Sequence, residues 1–245
     1  MKIKNLNVYV NIVGDKGKEI ILLHGWGQDS TTFKPLIDYL KENYKIYLID
    51  LPGFGQSDEP DVPYILDDYV EILEKIINYY QIKEPLILGH SFGGRVAIKH
   101  ASKYQTAGRL ILVNSAGLRN KKTFKYYYKV YSYKFLKKLY SIRLLRKYKE
   151  KALSKYGSKD YKNASEMMKK ILVNVVNDDL TNHLMNIMIP VVLFWGENDK
   201  VTPIEHAYRM NTLLHDSGIV KVANSGHFSY LDDPYLLSKV IESFH

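Results

Sequence analysis

Apolar and polar residues alternate from Asn5 to Val13, with Leu6, Val8, Val10 and Ile12 on one side, as in a half-buried strand. Gly14-Asp15-Lys16-Gly17 then reads as a hairpin turn. Glu19 to Leu23 is a short continuous apolar run, and so is Lys45 to Asp50. Such runs suit strands buried on both faces, as in parallel sheets. Asp29 or Ser30 is placed to cap a helix reaching about Tyr44. From Asp67 to Tyr80 the apolar residues recur at helical spacing. Pro85 to Leu88 predicts a strand, followed by a sharp turn over Gly89 to Gly94 and a helix to about Tyr104. Further strands are predicted at Arg109–Val113, Val191–Trp195 and Gly218–Val222, with helices at Ile204–Leu214 and Pro234–Phe244.

Strands alternating with amphipathic helices predict an α/β fold with a mostly parallel, doubly wound sheet, and the opening hairpin adds antiparallel pairing at one edge. The alternation breaks once. Residues 118–187 are rich in Lys and Tyr, helical in pattern and without a buried strand. They read as an inserted helical cap, leaving 1–117 and 188–245 as the core.

Composition narrows the chemistry. The 245 residues include no cysteine, which removes disulfides, thiolate catalysis and Cys-ligated metals. No apolar run is long enough to span a bilayer, and MKIKNLNVYV lacks the apolar stretch of a secretory signal, so a cytoplasmic location is expected. The net charge of +9 is local: residues 119–170 hold 18 Lys and Arg against 3 acids, and the rest hold 17 against 23. A basic face can attract anions, membranes or nucleic acid, but a solvated face in a Lys-rich chain is the simpler reading. Tyr126, Tyr127, Tyr128, Tyr131, Tyr133 and Tyr140 among the lysines are read as cap packing with snorkelling Lys stems. No nucleic-acid partner is expected, nor stable membrane insertion; weak contact of the cap with an anionic surface is the most its charge suggests. Oligomeric state is not legible.

One stretch carries chemistry. Leu86-Ile87-Leu88 runs into Gly89-His90-Ser91-Phe92-Gly93, a buried strand entering Gly-x-Ser-x-Gly and then a helix. The turn is so tight that residues two before and two after the serine must be small, and both are Gly. The turn exposes the hydroxyl and aims a helix N-terminus at it, which favours developing negative charge. Ser91 needs a base. Downstream, Gly196-Glu197-Asn198-Asp199 follows a strand and Gly226-His227 follows the last one, giving the order serine, acid, histidine. His227 is expected to take the Ser91 proton, and Asp199 to hold the imidazole; Glu197 is the nearby rival acid. Gly226 is expected to let the histidine loop bend closely over the nucleophile. The oxyanion calls for two backbone donors: the N–H of Phe92, and that of Trp26 in His24-Gly25-Trp26-Gly27, where Gly25 and Gly27 let the loop pass close. His90 is read as structural. His183, His206 and His215 show no metal-ligand spacing, so neither a metal nor another cofactor is expected.

These residues resemble the α/β-hydrolase superfamily over essentially the whole chain, with Asp50-Leu51-Pro52-Gly53-Phe54-Gly55-Gln56-Ser57 as a further landmark. The chain looks like the capped branch of small esterases, carbon–carbon bond hydrolases and non-haem haloperoxidase-like enzymes. The resemblance implies Ser91, Asp199 and His227 as a triad, and Asp50 and Ser57 as structural. Haloalkane dehalogenases and epoxide hydrolases carry Asp where this chain has Ser91. Carbon–carbon hydrolases usually show Trp after the catalytic His, where Phe228 stands here, and proline iminopeptidases favour Gly-Gly-Ser-Trp-Gly at the elbow. The expected activity is cleavage of a small-molecule carboxylic ester or thioester. The alternatives are carbon–carbon hydrolysis of a dienone and a ligand sensor with little turnover.

Overall fold

In the computed structural model, residues 1–119, 131–132 and 159–244 are described. The apolar runs form the interior of a seven-stranded sheet ordered β3-β5-β4-β6-β7-β8-β9. Its strands are β3 (Val10–Val13), β4 (Lys18–Leu23), β5 (Tyr44–Ile49), β6 (Leu86–His90), β7 (Arg109–Val113), β8 (Val191–Gly196) and β9 (Ser217–Val222). From β4 to β9 every pairing is parallel, and β3 adds one antiparallel edge. Ile20–Leu23, Leu86–Leu88 and Leu110–Val113 are buried, as continuous apolar runs in a sheet covered on both faces should be.

The opening differs from the single strand that alternation predicts. Lys4 and Asn5 take positive φ and turn the chain between β1 (Lys2–Ile3) and β2 (Leu6–Asn7), a separate two-stranded ribbon. Gly14–Gly17 is not a hairpin turn between paired strands either. β3 lies against β5, in register Val10 with Ile49. The loop therefore carries the chain past β5 into β4. The first helix is also shorter than the capping residues predict. Asp29 accepts from the Thr31 N–H to start a 3-10 turn at Ser30–Phe33, α1 runs Lys34–Leu40, and Tyr44 already belongs to β5.

Helix α2 is Leu66–Tyr80, begun by Asp68, whose carboxylate accepts from the Ile65 N–H at 2.9 Å. Helix α3 is Phe92–Lys103. Near the C-terminus come α7 (Glu205–Leu213), α8 (Ser229–Asp232) and α9 (Pro234–Phe244). One face of the sheet packs Phe33, Leu36, Leu40, Tyr230, Leu237 and Ile241 against Ile20, Leu22, Leu88 and Ile111.

The chain divides into one unit of Met1–Leu118 with Glu166–His245 and a second of Arg119–Ser165. The expected insertion at 118–187 is thus split. Helix α4 (Lys159–Asn163) falls in the second unit, while α5 (Glu166–Asn177) and α6 (Thr181–Met185) belong with the sheet. The reason is a set of contacts from α3. Arg95 donates to the Asp178 and Val176 carbonyls at 2.7 and 3.3 Å, at the end of α5, and Lys99 pairs with Asp67 and Asp178 at 2.7 and 2.8 Å. Tyr131 is exposed, and Tyr126, Tyr127, Tyr128, Tyr133 and Tyr140 lie outside the described residues. No helix among the described residues is long and apolar enough to cross a membrane.

Candidate active site

Ser91 sits between β6 and α3 with φ 50° and ψ −105°, a backbone state that side-chain-bearing residues rarely adopt. Its neighbours hold it there. The Ser91 N–H donates to the Val113 carbonyl and the Ser91 carbonyl accepts from the Ala116 N–H, each at 3.1 Å. A Cβ on Gly89 would stand 2.6 Å from the Gly93 carbonyl oxygen, and one on Gly93 would stand 2.2 Å from that of Leu23. The small residues at those two places are therefore a steric requirement of the turn.

His227 lies in the loop after β9. Its Nε2 is 3.1 Å from Ser91 Oγ, and its Nδ1 is 2.8 Å from Asp199 Oδ2. The structure thus brings together three residues from three loops, all at the carboxyl ends of parallel strands. Glu197 is exposed, whereas Asp199 is buried. The Asp199 carboxylate accepts the N–H groups of Val201 and Thr202 on Oδ1, at 2.7 and 3.0 Å. Burial raises its pKa, but the hydrogen bonds from His227 and Thr202 and the attraction of His227 outweigh that and hold it at about 2. It is an anion at any ordinary pH.

Two further partners were not read from the sequence. Asn114, fully buried just after β7, donates to Asp199 Oδ2 at 2.6 Å and to the Gly226 carbonyl at 3.2 Å. Its own Oδ1 accepts from the Ser229 hydroxyl. Thr202 Oγ1 lies 2.7 Å from Asp199 Oδ2 and 3.3 Å from His227 Nδ1. The signal for Asn114 was its place at the carboxyl end of a buried strand, where sites of α/β sheets gather. Gly226 does not have the expected part, since a Cβ there would meet nothing within 4 Å. The close approach is at Gly196, whose Cβ would fall 2.2 Å from the Gly226 carbonyl oxygen.

The loop after β4 passes beside the elbow. The Gly93 N–H donates to the His24 carbonyl at 3.1 Å. His24 is buried and bridges two loops: Nδ1 donates to the Gly25 carbonyl at 2.8 Å and Nε2 accepts from the Leu51 N–H at 3.0 Å. Burial lowers its pKa, in keeping with that neutral tautomer. A Cβ on Gly25 would come within 2.7 Å of Gln28 and His90, while Gly27 faces open space and instead needs its positive φ of 73°. The Trp26 ring is half-buried, 4.9 Å from Phe54 and 5.3 Å from Phe92, edge to face. Phe92 opens α3, so its N–H is one of that helix's first-turn donors. Asp50 accepts from the Ser30 and Gln56 N–H groups, and the Ser57 hydroxyl donates to the Asp50 carbonyl at 2.5 Å, all shaping the loop after β5. His183 and His215 bond to Ser102 and to the Met185 carbonyl, and His206 is buried in α7.

The chain belongs to the α/β-hydrolase fold family, whose model matches residues 18–234. It is 24% identical to the AB hydrolase superfamily protein YisY of Bacillus subtilis (strain 168) over 98% of this chain and 96% of the relative. It is 25% identical to the pimeloyl-[acyl-carrier protein] methyl ester esterase of Wigglesworthia glossinidia brevipalpis, over 95% of each chain. The esterase from Exiguobacterium antarcticum superposes with a TM-score of 0.77 at 20% identity, over 99% of this chain and 97% of that one, a likeness of fold.

Proposed function

We propose that this chain is a serine hydrolase that cleaves carboxylic esters or thioesters of small to medium acyl groups through an acyl-enzyme. The observation that supports this most is the unbroken run Asp199–His227–Ser91, at 2.8 and 3.1 Å. Ser91 Oγ attacks the acyl carbon as His227 Nε2 takes its proton. The resulting oxyanion is held by the N–H groups of Phe92 and Trp26. Asp199 keeps Nδ1–H in place and stabilises the imidazolium without taking a proton itself. His227 then returns the proton to the departing alkoxide or thiolate, the carbon–oxygen or carbon–sulfur bond breaks, and an alcohol or thiol leaves. Water, deprotonated by His227, repeats the attack and releases a carboxylic acid, with the proton restored to Ser91.

Purified protein should release p-nitrophenol from short acyl esters, and Ser91→Ala should lower kcat by at least about 10⁴-fold. Turnover that survives Ser91→Ala would overturn the mechanism. Labelling of Ser91 by a fluorophosphonate without turnover of any ester in a broad panel would point instead to a ligand sensor, and rapid turnover of dienones alone to carbon–carbon hydrolysis.

A further inference from the structure

His90 is the last residue of β6, next to Ser91, and its ring is buried. Its Nε2 lies 2.9 Å from the backbone carbonyl oxygen of His227. Its Nδ1 lies 3.1 Å from the side-chain amide of Gln28. The same amide reaches the Gly25 N–H, Thr32 Oγ1 and Tyr230 OH, each at 3.2 Å. One partly buried chain of polar groups thus joins the loop after β4, the serine elbow, the histidine loop and α8.

The chemistry of this chain restricts the ring. As placed, both partners are oxygens, and only an imidazolium could donate to both. Burial first, and then the nearby His227, lower the His90 pKa to about 3, so the ring is neutral and carries one N–H. The His227 carbonyl can only accept, so the hydrogen is on Nε2. Nδ1 must then accept, and a half-turn of the Gln28 amide supplies an N–H there while its oxygen faces the Thr32 and Tyr230 hydroxyls. That half-turn gives up the 3.2 Å bond from the Gly25 N–H.

We propose that His90 is a positioning residue for the reaction, its Nε2–H holding the His227 backbone so that the imidazole meets Ser91, with Gln28 fixing the His90 tautomer. This rests on the serine-hydrolase reading above. It goes beyond a structural role because the bond is to the residue that moves the proton. A loss of about 1 Å in such alignment can cost about 10²-fold in rate.

The test compares wild type, His90→Phe and His90→Gln, with active sites counted by fluorophosphonate labelling and p-nitrophenyl acetate as substrate. His90→Phe should lower kcat per labelled site by about 10- to 100-fold with KM within about threefold. His90→Gln, which keeps an N–H donor, should recover most of that loss. Long-range ¹H–¹⁵N spectra of the wild type should show His90 protonated at Nε2 and bare at Nδ1 near pH 7. Wild-type kcat per site in His90→Phe, no recovery in His90→Gln, or a hydrogen on Nδ1 would each overturn the proposal. If His90→Phe does not fold, Gln28→Met carries the test: a fall in kcat at steady KM is expected, and an unchanged kcat counts against the link. A wild type that neither labels nor turns over would sink the hydrolase reading itself, and the His90 spectrum would still decide the tautomer.

Discussion

The two ends of the same parallel strands are chemically opposite. At the amino ends, Lys18, Glu19, Lys45, Lys83, Glu84 and Arg109 line an open polar cavity of about 510 Å³, where Glu19 accepts from the Tyr47 hydroxyl at 2.8 Å and the Lys83 N–H at 3.1 Å and lies 3.7 Å from the Lys45 ammonium. At the carboxyl ends stand His24, Asp50, His90, Asn114 and Asp199, polar residues that are all buried and all hydrogen-bonded. Among the described residues, the buried side-chain polar atoms without a partner are His100 Nδ1 and His206 Nδ1, neither of them in that set. Exposed charge is cheap to keep and screened by salt. A buried polar group persists only if its partners are arranged for it, so a cluster of them at one end of a sheet is a built feature.

Changes to the buried polar residues at the carboxyl ends should therefore act on chemistry or folding, and changes to the exposed charges at the amino ends on neither. After Ser91→Ala, the largest effect is expected from Asp199→Asn. It should lower kcat by about 10³- to 10⁴-fold at nearly constant KM, because the amide presents the wrong partner to Nδ1–H. A steady-state comparison checks it, and a loss below tenfold would mean another acid serves His227.

A smaller, structural contrast lies within that end. Gly196→Ala should destabilise by about 2 kcal/mol, since its Cβ would collide with the Gly226 backbone. Gly226→Ala should be within about 0.5 kcal/mol of wild type, since its Cβ meets open space. Urea unfolding of the two variants decides which glycine the histidine loop needs.

Next is the response to acid. The folded His90 refuses a proton that the unfolded chain accepts below about pH 6.5, so folding stability is full above that pH and falls as pH drops toward about 3. The slope for this one group approaches about 1.4 kcal/mol per pH unit. Asp199, depressed to about 2, stabilises above about pH 4, and that contribution is lost between about pH 4 and 2. Urea midpoints at pH 7.0, 5.5 and 4.5 should fall in that order, and His90→Gln should flatten the trend. Stability that rises on acidification would contradict it.

The smallest effect is expected at the other end. Lys83→Ala should leave kcat and KM unchanged and move the thermal midpoint by less than about 2 °C. A large loss of activity there would break the contrast between the two ends.

Much of this is legible in the sequence because it is dictated locally. The parallel strands announce themselves as continuous apolar runs, and Arg109–Val113 is a strand to the residue. The elbow is legible because Gly89 and Gly93 are demanded by a turn only five residues long. The rest is hidden because its cause is distant in the chain. That β3 pairs with β5 rather than β4 depends on sheet order, not on the turn between them. Asn114 is 85 residues from Asp199, and Gln28 is 62 from His90, so no local spacing could reveal either pair. The placement of α5 with the sheet depends on Arg95 and Lys99, residues of another helix.

The most direct test of Ser91 as nucleophile is intact-protein mass spectrometry with peptide mapping after exposure to a fluorophosphonate. A single adduct on Ser91 is expected, absent in Ser91→Ala and strongly slowed in His227→Ala. A folded protein that forms no adduct, or forms it equally fast without His227, would contradict that role.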